Sequence, residues 1–136
     1  MLNDYTMEMT EGKVCPYCRC ETKKVSSDRI YGKDYFPGKF FLQCPEIKEH
    51  YVGIRFDGKS LGSLANKELR ELRKKGHSLF DPLWRGTEIK FQSRELAYRW
   101  LSNQMEIPKR KTHFGMFNDD QCMKAIKIIE EYLTTF

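Results

Sequence analysis

The chain has 136 residues, with 24 Lys+Arg against 19 Asp+Glu, a net charge of +5, and 40% hydrophobic and 13% aromatic content. That length fits one domain or two small ones, and the interspersed charge signs exclude a disordered polyelectrolyte. No apolar run approaches the ~18 to 20 residues that span a bilayer, and the acidic stretch 1–8 lacks the apolar segment of a secretory leader. The expectation is a soluble, cytoplasmic protein.

Residues 1–13 show no periodicity and carry mostly acidic charge, which predicts a flexible tail. Cysteine then dominates. An odd count of five without a leader argues against a disulfide framework. Cys15-Pro-Tyr-Cys18 is a C-x-x-C bracket, and Cys44-Pro opens a second one 26 residues after Cys18. A two-residue spacer lets one tight turn aim two sulfurs at a cation, and zinc takes four such donors. His50, just ahead of the apolar Tyr51-Val-Gly53, completes a set of Cys15, Cys18, Cys44 and His50 holding one structural Zn2+ per chain. Cys20 is the competitor, although strand alternation would point it away from Cys18. A metal-free redox pair lacks the βαβ pattern that accompanies such motifs.

From 14 to 58 the pattern is short β. Thr22–Tyr31 has Val25 and Ile30 among polar residues, Gly32, Pro37-Gly38 and Asp57-Gly58 punctuate, and Lys39–Cys44 and Tyr51–Phe56 read as strands. Two knuckles on hairpins make a zinc-ribbon-like unit, too small for much of a core. Metal binding would supply on the order of 10 kcal/mol toward its folding.

The remainder, 59–136, is helical. Asn66 precedes a helix carrying Leu69, Leu72, Leu79 and Leu83, with Gly76 among them. Ser93 caps a second, with Leu96, Ala97, Trp100, Leu101 and Met105 on its apolar face. Asn118-x-x-Gln121 is a capping box opening a third, with Cys122, Ala125, Ile126, Ile129, Tyr132 and Leu133 inward. The fold class expected is α+β: N-terminal zinc-ribbon-like hairpins packed on a C-terminal bundle of three helices.

The first helix carries the most informative surface. At 100° per residue Arg70, Arg73, Lys74, His77, Asp81 and Trp84 share one direction, opposite the leucines. Cations beside an indole suit phosphates and bases. Lys109-Arg110-Lys111 forms a second cluster, ahead of His113. If that loop folds back, His77, Asp81 and His113 become an acid/base set or a second metal site.

In order, Cys15-Pro-Tyr-Cys18, Tyr51-Val-Gly53, the run from Gly62 to Trp84, Ala97-Tyr-Arg-Trp100-Leu and His113-Phe-Gly115-Met-Phe117 resemble a family of small zinc-finger-containing domains of bacteria and phages. The resemblance covers residues 13–133. In that family the second bracket usually ends in a cysteine ahead of Tyr-Val-Gly, where this chain has His50. The resemblance implies a phage or mobile-element setting and supplies no reaction.

The expected function is a non-enzymatic, zinc-stabilised module that binds nucleic acid or a nucleoprotein complex through Arg70, Arg73, Lys74, His77, Trp84, Lys109, Arg110 and Lys111. One alternative is a phage protein that inhibits or adapts a host protein machine. Another is a small hydrolase or nuclease using His77, Asp81 and His113. No membrane partner and no small-molecule cofactor are expected.

Overall fold

The computed structural model describes residues 5–32 and 37–135, and the chain divides into two compact units, Met1–Glu68 and Leu69–Phe136. It is α+β, with a small antiparallel sheet in the first unit and long helices in the second.

In the first unit a single helical turn, α1 (Met7–Thr10), is capped by the Thr6 side chain, which accepts from Met9 N–H, and Met9 is buried. Order therefore reaches into the stretch expected as a tail. An isolated bridge between Val14 and Glu21 closes the first knuckle. Strands β1 (Lys23–Ser26), β2 (Phe40–Gln43) and β3 (Tyr51–Gly53) pair in that order, antiparallel. The register sets Lys24 against Leu42 and Leu42 against Val52. Because side chains alternate across a strand, Leu42 and Val52 share the face that packs with buried Cys15, Cys44 and Leu64. Phe41 and Tyr51 fall on the other face.

Two differences from the sequence reading have local causes. Residues 27–31, inside the stretch expected as short β, form a short helix, α2 (Ser27–Tyr31). Ser26 bonds the Asp28 carboxylate at its start, and Gly32 ends it in the left-handed region at φ 76°. The unit also runs on to Glu68, because bridges from Ile54 to Ser60 and from Tyr51 to Ala65 tie the following segment back to the sheet.

The second unit is built on three helices. α3 (Lys67–Phe80) begins directly after Asn66 and passes into a 3-10 turn, Asp81–Leu83, at Pro82, whose missing N–H cannot continue the α ladder. α4 (Arg94–Met105) is capped by Ser93, whose hydroxyl accepts from Leu96 N–H. After 3-10 turns at Lys109–Lys111 and Phe114–Met116, α5 (Asp119–Leu133) opens with the expected reciprocal capping box of Asn118 and Gln121. The core is Leu69, Phe80, Leu83, Ala97, Tyr98, Leu101, Phe114, Phe117, Cys122, Ala125 and Ile129. On α4 Tyr98 takes the inward place and Leu96 is exposed. The Tyr98 ring lies 4.3 Å from Phe80, with the Arg94 guanidinium 4.8 Å over it. Among the described residues no helix is long and apolar enough to cross a membrane.

Candidate functional site: a metal centre and a cationic surface

Two turns of similar design build the first site. In the first knuckle Cys15 N–H donates to Cys20 O (2.9 Å) and Arg19 N–H to Cys15 O (2.8 Å), while the Cys15 sulfur accepts from the backbone N–H groups of Cys18 and Tyr17. In the second, the Cys44 sulfur accepts from Glu46 and Ile47 N–H, both at 3.4 Å. Cys44 N–H then donates to His50 O (2.9 Å), so the chain from 44 to 50 closes on itself and returns the imidazole to the sulfurs. Tyr17 holds that ring from the side at 4.3 Å between centroids, and its hydroxyl accepts from Asn66 N–H.

The ligand atoms of Cys15, Cys18, Cys44 and His50 all lie within 4.8 Å of one another. His50 Nδ1 is 3.5 Å from Cys15 Sγ and 3.8 Å from Cys18 Sγ. Tetrahedral zinc with Zn–S ~2.3 Å and Zn–N ~2.0 Å requires S···N spacings of about 3.5 Å and S···S of about 3.8 Å. The two S···N distances match that requirement, and all four donors lie close enough together for one ion to draw them in.

The electrostatics agree. Burial, then the neighbouring thiols of Cys44 and Cys15, pushes Cys18 up to about 12. Burial also raises Cys15 and Cys20. For Cys44 burial works in the same direction, but the N–H groups of Ile47 and Glu46 and the thiols of Cys20 and Cys18 outweigh it, and the net shift is downward. Cys44 is thus the sulfur most disposed to ionise, and a cation among the four donors would favour ionisation of the others.

Cys20 approaches the other bracket: its sulfur lies 3.5 Å from Cys44 Sγ, after Arg19 adopts a left-handed backbone (φ 59°). It nevertheless stands outside the mutually close set of four. Tyr17, which carries the imidazole, went unrecognised in the sequence reading; its place inside the C-x-x-C bracket was the available signal.

The cationic residues of the second unit are arranged less simply than a helical wheel suggests. Arg73 directs Nη2 and Nε to Phe117 O at 2.9 and 3.2 Å, so its guanidinium anchors the turn ahead of α5. Arg70 is half-buried and Lys74 exposed. Asp81 pairs with Arg85 at 3.3 Å, and Arg85 also lies 5.4 Å over the Trp84 ring. Trp84 is half-buried, with its indole N–H enclosed and without an acceptor among the described residues. Lys109 pairs with Glu95 at 3.0 Å and holds that carboxyl below its usual range. Arg110 and Lys111 are exposed, with no side-chain partner among the described residues.

His77, Asp81, Arg85 and Pro82 line an open cleft of about 590 Å³. Between His77 and His113 runs a row of rings, Phe114, Phe80 and Tyr98, with neighbouring centroids 4.3 to 6.0 Å apart. The two histidines and Asp81 form no metal-competent group among the described residues; the Cys/His cluster does. Both histidines are held below their usual value, His77 by burial and Arg94 against the opposing pull of Asp81, His113 by burial and then Arg94 and Lys109.

That depression fixes a sign. A histidine whose folded value lies below its unfolded one contributes stability above the unfolded value of about 6.5, and loses it as pH falls further. Trp84 and Trp100 both belong to the second unit, so tryptophan fluorescence reports its unfolding. The midpoint is expected to fall on acidification from neutral pH, with a slope of at most about 1.4 kcal/mol per pH unit per histidine. His77→Gln with His113→Gln should flatten that slope. An unchanged slope would contradict the assignment.

A small antiparallel sheet clasping a Cys3His set between two knuckles defines a zinc-finger type of module. The chain belongs to a family of zinc-finger-containing domains, whose profile matches residues 11–132. No curated protein and no solved structure matches it.

Proposed function

We propose that the chain is a structural-zinc module that binds nucleic acid, alone or within a nucleoprotein complex, through the cations of its helical half. The supporting observation is how the charge divides. Residues 1–68 carry eleven Lys+Arg against ten Asp+Glu, whereas residues 69–136 carry thirteen against nine. The surplus is therefore +1 in the metal-bearing unit and +4 in the helical one. Local surpluses of this kind attract a polyanion by releasing its counterions. Lys74, Arg110 and Lys111 are the cations best placed for phosphate, being exposed and unpaired among the described residues.

Zinc has a folding role in this reading. When bound it supplies a divalent charge that holds three thiolates and one imidazole together. Cys15 and Cys44 fix the two turns, and Tyr17 orients the His50 ring.

The test is Arg110→Glu with Lys111→Glu in a low-salt mobility shift. Two lost phosphate contacts should weaken duplex binding and flatten the plot of log K against log salt by roughly 1.8. Thermal stability should stay within about 0.5 kcal/mol, as for exposed substitutions generally. Equal binding by variant and wild type would refute the site. A single stoichiometric protein partner that survives nuclease treatment would favour a protein-binding module instead.

A further inference from the structure

We infer that the end of the β-sheet remote from the knuckles is a base-stacking site for single-stranded nucleic acid, with Phe56 as its principal ring. This rests on the nucleic-acid reading above and narrows it to a strand with unpaired bases.

Phe56 is 100% exposed. A large apolar side chain left wholly in water does nothing for folding, yet the turn that presents it is well built. Arg55 N–H donates to Lys59 O at 2.7 Å and Gly58 N–H to Arg55 O at 2.9 Å. The Asp57 carboxylate accepts from Lys59 N–H at 3.0 Å, and Gly58 supplies the left-handed conformation at φ 88°. The ring is thus held out by a hydrogen-bonded turn.

At the base of that turn Ile54 N–H donates to Phe40 O at 3.0 Å, which places Phe40 beside it. Phe40 is 41% exposed, with the Lys24 ammonium 4.6 Å from its centroid. Lys39, Arg55 and Lys59 are exposed at the same end. The acid in the turn, Asp57, is engaged by Arg55 at 3.6 Å as well as by the Lys59 amide. A second acid, the exposed Asp28, is bonded by Ser26 opposite Phe40, so the end holds Lys24, Lys39, Arg55 and Lys59 against Asp28 and Asp57, a net surplus of cations beside aromatic faces.

That combination selects one partner chemistry. A protein interface of useful strength wants a contiguous apolar patch, and a lipid surface wants a broad apolar face. Here no ring contact joins Phe40 to Phe56 among the described residues, the Lys24 ammonium lies over Phe40, and Phe56 follows Arg55 in the turn, while the exposed Leu61 lies apart beside Gly53. Isolated aromatic planes with cations beside them match unstacked bases and the phosphates between them. In a duplex each base face is already covered by its neighbours, so an aromatic side chain finds its place on a single strand.

The experiment uses the zinc-loaded full chain in low salt, with fluorescence anisotropy of a labelled oligothymidylate and of a labelled duplex of equal length. Phe56→Ala should weaken oligothymidylate binding roughly 10-fold or more, the size of one lost base–aromatic stack. Duplex affinity and the melting midpoint should not move, and Phe56→Trp should retain single-strand binding. Unchanged oligothymidylate affinity in Phe56→Ala overturns the stacking site and leaves the broader reading intact. Wild type that binds only the duplex has the same consequence. Wild type that binds neither probe overturns both.

Discussion

Replacing Cys44 with serine should remove the metal and the fold of the N-terminal unit together. Cys44 is 1% exposed, accepts two backbone N–H groups, and shares its own N–H with the carbonyl of His50. The apolar cluster around it is little more than Cys15, Val52 and Leu64, with Leu42 and two further cysteines at the margin. So small a core cannot offset chain entropy unaided. Structural zinc contributes on the order of 10 kcal/mol at neutral pH, comparable to the whole stability of an ordinary domain. Elemental analysis should give one zinc per chain for wild type and none for Cys44→Ser. Amide exchange protection should disappear across residues 14–65, while the tryptophan-monitored transition of the second unit persists. Cys20→Ser should keep its zinc, since Cys20 stands outside the set of four. A metal-free Cys44→Ser with intact protection in that stretch would refute the account.

The second large effect is expected from a substitution that looks benign. On helix propensity alone, Gly76→Ala in the interior of α3 should gain up to about 1 kcal/mol. In this structure a Cβ at position 76 would lie 2.1 Å from Phe114 Cε1, with Cδ1 and Cζ at 2.6 and 2.8 Å. Phe114 cannot withdraw readily. It is fully buried and bounded by Phe117, Phe80 and the His77 ring at 5.1, 6.0 and 5.1 Å. Overpacking of this severity outweighs the propensity gain, and a net loss of about 3 kcal/mol is expected. For a unit of this size that lowers the melting midpoint by on the order of 10–20 °C. Combining Gly76→Ala with Phe114→Leu should recover part of the loss, since the cost belongs to that pair. A midpoint equal to or above wild type would refute the close approach.

These two cases mark what could be read from residue order. The knuckle was legible because a C-x-x-C spacer constrains geometry within a few bonds, and His50 because a fourth donor had to lie ahead of an apolar strand. The capping box of α5 was legible for the same reason, since Asn118 and Gln121 act on each other's backbone. Features requiring two distant segments were not. Gly76 showed only as a gap among leucines until Phe114 arrived from 38 residues further on. Arg73 belonged to a basic face by angle, and only the return of Phe117 O shows where its guanidinium goes. Cys20 illustrates a third limit: its approach to Cys44 joins segments 24 residues apart, which alternation along one strand does not address.

The choice of an imidazole as fourth donor alters the electrical character of the centre. Four thiolates around a divalent cation would leave −2, whereas three thiolates and the neutral ring of His50 leave −1. Two backbone N–H dipoles at Cys44 and two at Cys15 disperse that remaining charge. With a formal surplus of +1 in residues 1–68, the loaded centre would leave that unit near neutral, where a four-cysteine site would leave it net negative.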